Sequence, residues 1–226
     1  MIAAWQSYSL RNDVSLIIKM LELKLGFLAS NEGTNMQAII DACKNGKLKA
    51  KPCVIISNNS DSGTIQRAKK EVIPAYHLSS KTHPEPDDLD KAILHALRNH
   101  DVNIVILAGY MKKLGPQMLT AYQGRILNIH PALLPKFGGK GMYGKFVHEA
   151  VLASGDKITG VTVHLVDGEY DQGPIVAQCP VSIFDGDTIE SLSERVLKRE
   201  HEFFIETLQN IETGKIDLSL TKIIQQ

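Results

Sequence analysis

Three short stretches of this sequence gather residues able to do chemistry. In Asn128-Ile-His130-Pro131, side chains two apart on a strand point to the same side, so Asn128 and His130 share a face. Pro131 ends the ladder. An amide that donates a hydrogen bond beside a titratable imidazole suits stabilisation of a carbonyl oxyanion with proton transfer. The plainer alternative is a histidine capping a strand end. Ser30-Asn-Glu-Gly-Thr-Asn35 follows a strand and opens a helix, where free backbone N–H groups, with Gly33 allowing close approach, form an anion site. Its single glycine excludes the dinucleotide fingerprint, and an ordinary capping turn is the alternative. Asp167-Gly-Glu169-Tyr-Asp171-Gln-Gly173-Pro174 alternates acids as a calcium loop does. Gln172 stands at the sixth position, where glycine is required, and Gln178 at the twelfth, where glutamate is required, so calcium is excluded. The segment is either a solvated turn or a place where one carboxylate folds back to fix a histidine's charge. Spacing alone does not separate Asp167, Glu169 and Asp171.

Other stretches imitate sites. Gly139-Lys-Gly-Met-Tyr-Gly144-Lys145-Phe146 has Walker A spacing, but Phe146 stands where a magnesium-binding Ser/Thr belongs and no strand immediately precedes it. It reads as a flexible loop rich in lysine and glycine. His77, His95 and His148 lack metal-ligand spacing, and no metal is expected. His164, on an apolar strand, reads as a packed core histidine, though its nearness to the acidic turn keeps a site role open.

The elements positioning these residues alternate. Strands are expected at Leu23–Ala29, Cys53–Ser57, Ala75–Leu78, Asn103–Ala108 and Arg125–His130. Helices are expected near Met36–Cys43 and at Ile65–Glu71, Leu89–Asn99, Pro116–Tyr122 and Lys145–Ala153. This is an α/β pattern: a Rossmann-like, mostly parallel sheet with helices on both faces, its ligands beyond the carboxyl ends of the strands. Gly160–Val166 and Pro174–Val181 then predict an antiparallel hairpin. A long helix runs from Thr188 to Thr213, with Asp187 and Glu190 spaced as a capping box and Gly214 as its stop.

The chain has 226 residues, 43% hydrophobic and 22% charged, with 25 basic and 25 acidic side chains. That supports one folded domain of 23–226 and argues against coating nucleic acid or an acidic membrane. Cys43, Cys53 and Cys179 form neither a disulfide framework nor a metal knuckle, which suits a cytoplasmic location. Residues 1–22 are expected to be an extension without function, and removal of residues 1–19 to be harmless. Lys19, Glu22 and Lys24 break their apolar stretch below the about 18–20 residues of a spanning helix, and a secretory signal is rejected.

Taken together, SNEGTN, VILAGYMKKL at 105–114, LNIHPALLPKF at 127–137 and GVTVHLVDGEYDQGPI at 160–175 resemble the phosphoribosylglycinamide formyltransferases over about residues 23–215. The resemblance implies formyl transfer from 10-formyltetrahydrofolate to the amine of glycinamide ribonucleotide in purine biosynthesis (EC 2.1.2.2), with both as small-molecule partners. It implies Asn128 and His130 as catalytic residues, with Asp171 assisting His130. Gly33, Thr34 and Asn35 would bind the substrate phosphate, and Glu200 would contact the glycinamide end. Met111, Lys112, Lys113 and Leu114 would line the folate site, with Asn128 also facing the folate. Val196, Glu200 and Phe203–Phe204 share one helical stripe, which independently sets Glu200 at the edge of a buried face. The chain departs from the family at Asn31 and Glu32, where SGNGSN is usual; an acid there is unfavourable beside a phosphate unless it points away. Pro86 stands where relatives carry a folate-contacting arginine, and Lys140 or Lys145 could meet the folate carboxylates instead.

Three alternatives remain. A methionyl-tRNA formyltransferase needs an added C-terminal domain, whereas only residues 214–226 follow the last helix. A formyltetrahydrofolate hydrolase needs an N-terminal regulatory domain. A non-catalytic nucleotide-binding module would not depend on Asn128 or His130.

Overall fold

Along Leu23–Ala29, Leu25 and Phe27 point to one side and Leu28 to the other, and all three are fully buried. A strand apolar on both sides needs two covering layers, and the fold supplies them. The computed structural model describes residues 22–219; the proposed extension falls almost wholly outside them. In chain order the elements are β1 Leu23–Ala29, α1 Thr34–Lys44, β2 Ala50–Ser57, α2 Gly63–Lys70, β3 Ala75–His77, α3 Pro86–Asn99 and β4 Ile104–Leu107. There follow α4 Pro116–Ala121, β5 Ile126–His130, α5 Lys145–Ala153, β6 Ile158–Leu165, β7 Ile175–Ser182 and α6 Ile189–Glu212. One sheet runs in the order β3-β2-β1-β4-β5-β6-β7, parallel through β5, with β6 antiparallel to β5 and β7 to β6.

Leu25 and Phe27 pack in the layer of Ile39 and Ile40 from α1 and Phe204 and Leu208 from α6. Leu28 packs with Ile93 and Leu97 from α3 and Met118 from α4. Strand order reverses between β1 and β4, so the crevice at their carboxyl ends is where an open sheet binds ligands. Among the described residues no helix is long and apolar enough to cross a membrane.

Beyond shifts of one or two residues at element ends, three details differ from the expectation. β2 begins at Ala50, with Pro52 inside it where the register with β1 shifts. β3 pairs only with Ile55–Ser57, so the edge beside Pro52 needs no N–H donor. α3 begins at Pro86, a favoured first helical residue. The cap of α6 is Thr188 with Ser191, each side chain bonding the other's backbone N–H, and not Asp187 with Glu190. Asp187 lies one residue too early; its carboxylate instead takes both guanidinium nitrogens of Arg195, each at 2.7 Å.

The α4 start is held from another helix. Its N-cap is Gly115, which has no side chain, and buried Asp90 of α3 accepts from the N–H groups of Gln117 (2.7 Å) and Met118 (3.2 Å). Asp90→Ala should leave both donors orphaned and cost about 1–3 kcal/mol. Thermal unfolding should show Tm falling by about 3–10 °C; an unchanged Tm would mean that water replaces the carboxylate at no cost.

Candidate active site

The β1 and β4 loops meet at the switch point through Ser30, buried at the end of β1. Its N–H donates to Gly109 O (3.1 Å), its hydroxyl donates to Asn58 Oδ1 (2.6 Å), and it accepts from Met111 N–H (2.8 Å). This places the start of α1 beside the Met111–Leu114 segment. Gly33 caps α1 in the left-handed region at φ 65°, and no side chain caps that end, so its first N–H groups are open to an anion. A Cβ on Gly33 would sit 2.7 Å from Thr64 Oγ1. Glu32 points away from this end: its carboxylate lies against Gly63, at the start of α2, where a helix N-terminus favours negative charge.

Asn35 lies just inside α1 and is buried. Its Nδ2 donates to Glu200 Oε2 at 3.5 Å, while its Oδ1 has no partner among the described residues. Glu200, on the inner stripe of α6, is 8% exposed. Burial pushes its carboxyl up to about 8 against the opposing pull of Asn35. A buried acid with one long hydrogen bond and an amide oxygen with none together make an incomplete polar pocket.

Across the crevice, β5 presents Asn128 and His130. β6 runs antiparallel to β5, which sets His164 directly opposite Asn128. His164 Nδ1 lies 2.8 Å from Leu165 O; a carbonyl only accepts, so Nδ1 carries the proton. In the neutral ring Nε2 is then bare and accepts from Asn128 Nδ2 at 3.0 Å. The histidine therefore fixes which way the Asn128 amide faces; it is buried, as its apolar strand implies, and also borders the site.

Asp171 closes the cluster. Its Oδ2 accepts from Gly139 N–H (2.9 Å) and lies 3.5 Å from His130 Nδ1, and its Oδ1 lies 3.4 Å from His164 Nε2. The turn brings it there because residue 173 is glycine: a Cβ would fall 1.8 Å from Leu165 O. Burial pushes the Asp171 carboxyl up, but positive charge on the facing histidine rings, when they carry it, and the Gly139 N–H outweigh it and leave it below its usual range. His130 moves the other way. Burial lowers its pKa, and Asp171 and the Phe137 carbonyl offset that only in part. Its Nε2 donates to Phe137 O at 2.8 Å, which leaves Nδ1 bare toward Asp171 in the resting, neutral ring. Only the imidazolium satisfies both acceptors.

These residues border one cleft of about 910 Å³. It runs from Gly33, Thr34 and Asn35 past Asn128, His130 and Asp171 to Met111, Lys112, Lys113 and Leu114, with Glu200 on its wall; Lys145 and Asp167 do not line it. Lys113 Nζ pairs with Glu169 at 3.1 Å, joining the β4 loop to the acidic turn. The 139–144 loop forms another wall through Lys140, and Lys145 lies over the Phe146 ring at 5.7 Å. Sequence reasoning assigned Ser30 and His148 no role and left His164 open. Ser30 carried a signal as a polar residue directly after an apolar strand, and His164 through its nearness to the acidic turn.

Asn128, His130 and Asp171 thus meet at the carboxyl-end side of an open α/β sheet. The formyl transferase family profile matches residues 23–208, and the chain belongs to that family. It is 38% identical over 195 residues to phosphoribosylglycinamide formyltransferase of Haemophilus influenzae, covering 86% of this chain and 90% of the relative. It is 39% identical to the chloroplastic phosphoribosylglycinamide formyltransferase of Vigna unguiculata over 88% of this chain, and the matched part spans 64% of that relative's length. The crystal structure of glycinamide ribonucleotide transformylase 1 from Symbiobacterium toebii superposes with a TM-score of 0.79 at 37% identity, covering 85% of this chain and 89% of that one.

Proposed function

We propose that the protein transfers the formyl group of 10-formyltetrahydrofolate to the primary amine of glycinamide ribonucleotide. The observation carrying this reading is the convergence of Asn128, His130 and Asp171 between an uncapped helix start and the Met111–Leu114 wall. The phosphate binds the open N–H groups at Gly33–Asn35, and Glu200 with the free Asn35 oxygen receives the glycinamide end. The folate lies along Met111–Leu114. The substrate amine attacks the formyl carbon, forming a C–N bond and an oxyanion to which Asn128 donates a hydrogen bond. Neutral His130 takes the amine's proton. As the cation it is held by Asp171, and it passes that proton to N10 as the N10–carbon bond breaks. The cation exists only along the reaction path, so Asp171 stabilises the transition state more than the ground state. Holding both substrates side by side supplies further rate. Three free cysteines support a reducing, cytoplasmic setting.

The test is a spectrophotometric assay with a 10-formyl folate, with and without glycinamide ribonucleotide. Turnover that needs the amine is expected; turnover without it would identify a hydrolase, and binding without turnover a nucleotide-binding module. Gly33→Val should raise the ribonucleotide KM at least about tenfold, or about 1.4 kcal/mol, and the folate KM much less. Its strained φ should also lower Tm. Equal increases for both substrates would place the phosphate elsewhere.

A further inference from the structure

His148 has no part in that scheme, yet it borders the same cleft and is 4% exposed. It stands one turn into α5, which packs on α6, the helix carrying Glu200. Among the described residues its Nδ1 is sealed from solvent with no hydrogen-bond partner, and Nε2 is not so sealed. A proton on Nδ1 would bury an unpaired donor, which costs about 1–3 kcal/mol. The proton therefore sits on Nε2. Burial, then the nearby His130, lowers its pKa, so the ring is neutral at pH 7. The side chain thus offers the cleft one neutral N–H donor.

We propose that His148 Nε2–H binds an oxygen acceptor of the ribonucleotide. This rests on the formyl-transfer reading. One observation favours the ribonucleotide over the folate: α5 is packed on the helix that carries Glu200. A neutral donor suits a ribose hydroxyl or an amide carbonyl as well as a phosphate oxygen, so the acceptor class is oxygen.

Isothermal titration with glycinamide ribonucleotide tests this on the full chain. His148→Phe keeps an aromatic ring and removes the donor. His148→Gln places an amide N–H near the former Nε2. His148→Phe should weaken ribonucleotide binding about tenfold and leave the folate KM within about twofold. His148→Gln should restore most of the affinity, a rescue that a purely packing role would not give. Equal losses in both variants, no loss in either, or a fall in kcat at unchanged ribonucleotide affinity would overturn the proposal. A His148→Phe protein with lowered Tm leaves the decision to His148→Gln: near-normal affinity supports the donor, and a loss matching His148→Ala rejects it. A wild-type protein that bound no ribonucleotide would remove the functional reading and this proposal together; one that bound it while the variants failed as above would remove this proposal alone.

Discussion

Asp171→Asn is expected to lower kcat by about 10²–10⁴-fold, the usual worth of positioned proton transfer, with little change in ribonucleotide affinity. Asparagine keeps the size of the side chain and can still accept from the Gly139 N–H, which lies 2.9 Å from Oδ2. What it removes is the charge facing His130 Nδ1 at 3.5 Å. Burial already lowers the His130 pKa, and Asp171 is the first of the groups opposing it. The neutral ring is the active form, so the rate should rise with pH through the depressed histidine pKa and then level off. Without the carboxylate, that acid limb should move to still lower pH and the plateau should drop. His130→Ala should be similarly severe. The double variant should lose far less than the product of the two losses, because the pair acts as a unit. Asp167→Asn, outside the cluster, should be mild. Near-normal turnover by Asp171→Asn across neutral pH, or losses that simply multiply, would show that the turn is only a turn.

Glu200→Gln is expected to stabilise the protein at alkaline pH and damage its function. In the unfolded chain this carboxyl has its ordinary value near 4.5; in the fold burial raises it to about 8. Between those values the unfolded chain has released a proton that the folded protein keeps. Stability is therefore full below about 4.5 and is lost as pH rises toward about 8. Glutamine keeps the shape and the contact with Asn35 but does not titrate. Its Tm advantage should be absent near pH 4 and should reach about 10–20 °C by pH 8.5, at about 1.4 kcal/mol per pK unit and about 2–4 °C per kcal/mol for a chain of this size. The ribonucleotide KM should rise at the same time. Residues that destabilise the free protein at working pH are typically retained for binding. Equal Tm gains at pH 4 and pH 8.5 would refute the burial argument.

The elements themselves were legible in the sequence. Apolar runs such as Ile104–Leu107 and the stripe on α6 follow from local periodicity, and periodicity depends only on neighbouring residues. The same locality made Asn128 and His130 a pair on one face and exposed the false calcium and Walker A loops. It could not supply the pairing of β5 with β6. That pairing joins residues 36 apart at the Asn128–His164 contact and turns an apparent core histidine into the group that orients the amide. Nor could it select Asp171 from three acids, because the choice depends on Gly173 closing against the Leu165 carbonyl and on the 139–144 loop arriving from the other side. Asp90 at the start of α4 and Glu200 against Asn35 follow the same rule. Their partners lie 27 and 165 residues away, and only the packed sheet brings them within reach. Sequence periodicity sets which residues face inward; burial and the crossing of distant segments decide which of them titrate, donate and meet.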